Sequence, residues 1–182
     1  MAEMFQKSGR TAVEGCEVLR WRISLPLCES EQGRISAFYE EVGRRAAAFC
    51  EGALSERAKA EFERADDPNK RFSFAAFSYR LAGAVTYEDG ELCSVCMTAE
   101  LRRRGDRAPI ELYEDGQVWE KHSGLWIPPK EVVFLCCGEA LSRKEKRLIQ
   151  GVLLSENSVL WYDGKAWNKK EFSNEFRRKK GE

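Results

Sequence analysis

Hydrophobic and polar positions alternate along Glu17 to Leu27. Leu19, Trp21, Ile23, Leu25 and Leu27 fall in one frame, and Arg20, Arg22, Ser24 and Pro26 in the other. A period of two is that of a β-strand with one face on a core. Pro26 cannot donate to a ladder, so it ends this strand or puts it at an edge. From Gly33 to Ala65 the period changes. Ile35, Phe38, Val42, Phe49 and Ala53, with Ala46 filling the stripe, recur at helical spacing, while Glu40, Glu41, Arg44 and Arg45 lie largely off it. This predicts an amphipathic helix packed by one face. Gly52 is a candidate interruption, and Ser55 a candidate cap for a second segment carrying Ala58 and Phe62. Asp66-Asp67-Pro68-Asn69 then breaks the pattern.

The centre reads as strands. Phe72 and Phe74 share one frame, while Phe77, Tyr79, Leu81, Val85 and Tyr87 share the other, which predicts a β-bulge near Ala75-Ala76. Leu92 to Leu101 carries Val95, Met97, Ala99 and Leu101 on one face. Three Asp-Gly steps follow tyrosines, in Tyr87-Glu88-Asp89-Gly90, Tyr113-Glu114-Asp115-Gly116 and Tyr162-Asp163-Gly164. Asp-Gly supplies the positive-φ residues of tight hairpins, so each step predicts a hairpin turn. The second would join Ile110 to Tyr113 with Gln117 to Lys121. The third would join Ser158 to Tyr162 with Lys165 to Trp167. Val132 to Cys137 is a continuous apolar run that periodicity leaves open between strand and helix. Ser142-Arg143-Lys144-Glu145 has the form of a capping box and predicts a short helix to about Gln150.

Composition bounds this picture. At 182 residues one domain is the default, with 43% hydrophobic and 33% charged residues. Lys and Arg balance Asp and Glu for a net charge of zero, so any affinity for nucleic acid or membrane must come from a local patch. No stretch approaches the roughly 20 apolar residues of a membrane span. Met1 to Gly15 lacks the apolar core of a signal peptide, so a cytoplasmic protein is expected. Seven irregularly spaced cysteines suit reduced, mostly buried thiols better than a disulfide framework.

Candidate chemistry is sparse. Cys93-Ser94-Val95-Cys96 is the one CxxC, but in a strand its two thiols diverge, and neither a metal nor a cofactor is expected. His122 is the only histidine and has no nucleophile elbow beside it. Arg102, Arg103, Arg104 and Arg107 form the densest charge cluster, and guanidinium forks there suit phosphate or an acidic partner. Trp119, Trp126, Trp161 and Trp167 gather in the C-terminal half and, where exposed, would offer an aromatic binding surface. The alternative for each is a solvated loop or a packed core.

The order of elements, from Trp21 to Leu27, through the long helix and Phe72 to Leu101, to Ile110-Glu111-Leu112-Tyr113-Glu114-Asp115-Gly116-Gln117-Val118-Trp119 and Leu125-Trp126-Ile127-Pro128-Pro129-Lys130-Glu131-Val132-Val133, resembles a bacterial domain of unknown function. That domain occurs in the extracellular part of lysozyme-sensing anti-sigma factors and beside some peptidoglycan deacetylase domains. The resemblance covers about residues 17–172. It implies an α+β fold and a binding role, and carries over no functional residue. Where the family has a Gly-Gly-Ala-His-Gly-like turn, this chain has Arg102 to Arg107.

The expectation is therefore an α+β protein. A twisted, mainly antiparallel sheet of hairpins would carry one long helix on a face and a short C-terminal helix. Residues 1–14 would be a flexible N-terminus, 15–172 a single domain and 173–182 a basic tail. The function expected is a non-enzymatic binding or regulatory module for a protein partner. The alternatives are a hydrolase with an unrecognised acid-base site acting on cell-wall or glycan material, and nucleic-acid binding through the Arg102–Arg107 loop.

Overall fold

The computed structural model describes residues 3–65, 74–138, 149–173 and 176–177. A six-stranded sheet has the order β1 (Met4–Val13), β2 (Cys16–Pro26), β3 (Phe77–Glu88), β4 (Leu92–Arg103), β5 (Glu111–Glu120) and β6 (Leu125–Ile127). A second sheet holds β7 (Gly151–Ser155), β8 (Ser158–Tyr162) and β9 (Trp167–Glu171). Strands β2 and β3 are parallel, which demands a crossover. The helical run α1 (Arg34–Phe49), a π turn (Cys50–Leu54) and α2 (Ser55–Glu63) lies between them in sequence. A further helix, α3 (Pro129–Cys137), opens on a proline, whose missing N–H costs nothing at a helix start.

The expected α+β class is overturned. Strands hold 47% of the described residues, against one helical run of 30 residues and one short helix. The short helix is α3, built from the Val132 to Cys137 run. Residues 66–69 of the expected break, 142–148 of the expected C-terminal helix and 174–175 and 178–182 of the basic tail lie outside the described residues, as does residue 72 of the expected bulged strand. Two strands went unforeseen, β1 and β7.

The chain divides into two compact units, each described by itself. The first contains Met1–Leu27, Ala37–Gly83 and Met97–Glu114. Residues 4–13, expected to be loose, pair with β2 from Met4↔Pro26 to Val13↔Cys16. The hairpin turns at Glu14 and Gly15, with φ of 50° and 81°, the left-handed pair of a type I′ turn. Strand β1 is hidden in the sequence because, between Phe5 and Val13, its helix-facing positions Lys7, Gly9 and Thr11 are not apolar. Lys7 pairs with Glu51 at 3.0 Å, Gly9 lies under the Trp21 ring, and the Thr11 hydroxyl lies 2.9 Å from that of Ser55.

Ser55 is therefore a buried tie to β1, not a cap. The helical run is buried at Ile35 of the expected stripe and at Tyr39, Gly43, Ala47, Cys50, Leu54, Ser55, Ala58 and Phe62, while Phe38 and Phe49 of that stripe are 36% and 48% exposed. The π turn adds a residue at Cys50–Leu54 and keeps Leu54, Ala58 and Phe62 on the core side. It also buries the Cys50 thiol, whose pKa burial pushes up to about 12.

The second unit contains Cys28–Ser36, Ala84–Cys96 and Asp115–Glu182. Its core joins Val118, Val132, Val133, Cys136, Val152 and Leu154. At the first Asp-Gly step the Asp89 carboxylate accepts from the N–H groups of Glu91 and Leu92, both at 2.7 Å, and Gly90 has no positive φ. At the third, Asp163 caps Lys165 and Ala166, and Gly164 has φ of 87°. The second step is no turn at all. Asp115 and Gly116 lie in the middle of β5. Gly116 serves a different need, because a Cβ there would meet the Val152 carbonyl oxygen at 2.5 Å and Leu153 Cγ at 2.6 Å.

Gly116→Ala therefore forces backbone apart and is expected to lose about 2–3 kcal/mol in urea unfolding. Gly90→Ala meets nothing within 4 Å and is expected to stay within about 0.5 kcal/mol of wild type.

Candidate functional site: an arginine-lined sheet face

Register assigns the faces of the first unit's sheet. In β1 and β2 the pairs Phe5↔Leu25, Gly9↔Trp21 and Thr11↔Leu19 point toward the helix, so Ser8↔Arg22 and Arg10↔Arg20 point away from it. In the parallel pair, Arg20 lies beside Ser78 and Arg22 beside Arg80. Arg10, Arg20, Arg22 and Arg80 thus share one open face across three strands, and all four are exposed. A groove of about 500 Å³ runs over β2 and β3 on this face, lined by Arg20, Arg22, Ser24, Ser78 and Arg80 among others. Arg20 is bound by Glu17 at 3.0 Å. Arg10, Arg22 and Arg80 form no ion pair among the described residues.

Of these, only Arg20 and Arg22 stood out in the sequence, and only as the polar half of an alternation. The residues singled out there have other fates. Arg103 is stacked over the Phe77 ring at 4.6 Å and paired with Glu61, so it works mainly as a structural tie. Arg57 lies over the same ring at 5.5 Å and reaches Glu61 at 3.4 Å and Glu111 at 3.3 Å. Arg102 is paired with Glu100. The β4–β5 connection turns at Gly105, with φ of 95° and the Asp106 N–H donated to the Arg103 carbonyl at 3.1 Å. A second depression of about 340 Å³ shares Arg20 and Ser78 with the groove and reaches Arg102 and Arg104, while Arg107 is simply exposed.

The four-tryptophan surface is reduced by burial. Trp119 and Trp161 are core residues, 7% and 5% exposed. Trp126, opposite Trp119 in the β5–β6 pair, is 47% exposed, and Trp167 is half-buried against Tyr162 at 5.6 Å. Aromatic character in the sequence could not separate these, because a tryptophan serves a core and a surface equally well.

His122 donates from Nδ1 to Glu31 at 2.6 Å, which answers in part the condition for acid-base chemistry. Both side chains are largely in solvent, 78% and 65% exposed, whereas a catalytic pair works in a water-excluded cleft. The hydrogen bond to Glu31, and then its charge, raise the His122 pKa. The Cys93 thiol faces Cys28. Their hydrogen bond lowers the pKa of Cys28 and raises that of Cys93, consistent with Cys93 as the donor. Among the described residues no three His, Cys, Asp or Glu side chains converge to hold a metal ion. None of the described helices is long and apolar enough to cross a membrane.

The fold is a two-sheet, mostly β architecture with one long helical crossover. No family model matches the sequence, and no curated protein does. Among solved structures the chain is similar to a member of the DUF3298 family from Bacteroides fragilis, with a TM-score of 0.54 and 10% identity, covering 98% of this chain and 92% of that one. A DUF3298 family protein from Pseudomonas aeruginosa matches at a TM-score of 0.49 and 12% identity, over 98% and 93% of the two chains. The first likeness shows the fold, that of a bacterial family of unknown function.

Arg103→Ala is expected to cost about 1 kcal/mol through the lost stacking and ion pair. Arg104→Ala is expected to change stability by less than about 0.5 kcal/mol, both read by urea unfolding. Because the folded pKa of His122 lies above its ordinary 6.5, the Glu31 contact favours the folded state below that pH and fades as pH rises through the folded value. An NMR titration of Glu31→Gln should show the His122 midpoint falling back toward 6.5.

Proposed function

We propose that this chain is a non-enzymatic binding module whose arginine face docks an acidic, extended segment of a partner protein. The observation that carries the reading is the in-register set Arg10, Arg20, Arg22 and Arg80 on an open sheet face, with Glu17 beside Arg20 as the one carboxylate paired to any of the four among the described residues. Clustered guanidinium groups repel one another unless an anion joins them, and each fork matches a carboxylate in two-point geometry. The intervening Ser8, Ser24 and Ser78 supply neutral donors along the same face. A chain of zero net charge lacks the long-range attraction that a phosphate polymer exploits, which favours a short acidic stretch over nucleic acid. The resemblance to the extracellular domains of anti-sigma factors and deacetylases agrees with a binding role.

The test is fluorescence anisotropy with a labelled oligo-glutamate peptide and, beside it, a single-stranded RNA of equal charge. Wild type should bind the peptide in a salt-sensitive manner. Arg22→Glu with Arg80→Glu should weaken it by about tenfold or more, since both guanidinium forks are reversed. Unchanged affinity in that double variant would sink the proposal. RNA binding as tight as the peptide's would replace a protein partner with nucleic acid.

A further inference from the structure

The arginine face is built in rows, and two neighbouring rows differ in charge. Pairing places Ser8, Arg22 and Arg80 side by side across β1, β2 and β3, and Arg10, Arg20 and Ser78 side by side in the next row. Neighbours within a row lie about 4.8 Å apart at the backbone, and the rows are about 6.8 Å apart, two residues along the strand. In the second row Glu17 answers Arg20 at 3.0 Å, which leaves Arg10 as the one open positive charge. In the first row neither Arg22 nor Arg80 forms an ion pair among the described residues, and Glu100 of the adjoining β4 is held by Arg102. Two guanidinium groups thus stand directly opposite each other, a like-charge pairing that costs stability until an anion joins them. Both are exposed and both line the groove of about 500 Å³, with the hydroxyls of Ser24 and Ser78 along it.

We propose, resting on the docking reading above, that the Arg22–Arg80 row is a subsite for a phosphate monoester, carried on a serine or threonine of the acidic segment. A carboxylate brings one charge and two oxygens, enough for one guanidinium fork. A phosphate monoester brings three terminal oxygens and a charge of about −1.5 to −2, enough for two forks at once. A phosphodiester of nucleic acid carries one charge and fits the row no better than a carboxylate. The second row, with its single open charge at Arg10, suits an ordinary carboxylate. In an extended segment every second side chain faces the sheet, at the same spacing of about 6.8 Å as the rows. The segment therefore carries an acidic residue two positions from the phosphorylated one.

The test is fluorescence anisotropy with three labelled peptides. The first has one phosphoserine with a glutamate two residues to either side. The second has glutamate in place of the phosphoserine, and the third has the flanking glutamates moved one residue outward. Wild type should bind the first about tenfold tighter than the second and about threefold tighter than the third. Arg22→Gln with Arg80→Gln should erase the phosphoserine advantage, whereas Arg10→Gln should weaken the first and second peptides alike. Arg80→Lys keeps the charge without the fork, so it should retain the glutamate peptide and narrow the phosphoserine advantage. Salt-sensitive binding of the glutamate peptide with no gain from phosphoserine would overturn the subsite and leave the docking face standing. A phosphoserine advantage that survives in the Arg22/Arg80 variant would also overturn it, and no binding of any peptide would overturn both readings. Inorganic phosphate that displaces the first peptide as effectively as the unlabelled peptide does would assign the row to the free ion and overturn the phosphorylated segment.

Discussion

The second unit depends on how closely two backbones can approach. Strand β7 passes against β5 where Gly116 and Gly151 leave no side chains between them, and the Val152 carbonyl occupies the space a Cβ on Gly116 would need. One strand away, the Ser94 hydroxyl is fully buried. It accepts from the Leu154 N–H at 2.9 Å and lies 2.9 Å from the Thr86 hydroxyl. A buried backbone N–H must find an acceptor, and here a side chain of the first sheet provides one. Small residues and one hydroxyl thus bring β7 against β4 and β5 within this unit. The core of Val118, Val132, Val152 and Leu154 closes around that contact.

In the first unit the governing constraint is the two-faced strand. Whatever packs under the helix is spent on stability, and whatever alternates with it faces water. Strand β2 divides itself cleanly, with Leu19, Trp21, Ile23 and Leu25 inward and Arg20 and Arg22 outward. The arginine face is a by-product of this alternation only in geometry. Nothing in the packing of the core requires guanidinium groups at four neighbouring outward positions, and serines or threonines would serve the sheet as well.

The candidate site was legible in the sequence only in part. Arg20 and Arg22 stood out as the polar frame of a strand, but Arg10 and Arg80 become their neighbours through one hairpin and one long crossover, neither visible as a local pattern. The dense run Arg102, Arg103, Arg104 and Arg107 drew notice because it is contiguous. Contiguity says little about availability: Arg103 is stacked on Phe77 and paired with Glu61, and Arg102 is paired with Glu100. The tryptophans follow the same logic. Trp119 and Trp126 stand opposite each other in one strand pair, yet one is buried and the other half in solvent. Only the elements packed around them decide which.

What local chemistry determines by itself is therefore clear at three kinds of place. The alternation of β2 set its two faces, the helical spacing between Gly33 and Ala65 set a long helical run though not which face of it is buried, and Asp89 and Asp163 set turns through carboxylates that reach their own backbone. Tertiary structure decided the rest. The same Asp-Gly pair that turns the chain at Asp163 runs straight through β5 at Asp115, because Gly116 there answers a backbone crossing from a distant strand rather than a local bend. Strand β1 pairs with β2 along its length, and its helix-facing Lys7, Gly9 and Thr11 meet Glu51, Trp21 and Ser55, so between Phe5 and Val13 its sequence lacks the apolar alternation of a buried strand. Short-range rules read conformations that a residue prefers. They cannot read those imposed by neighbours far along the chain, and the arginine face is of that second kind.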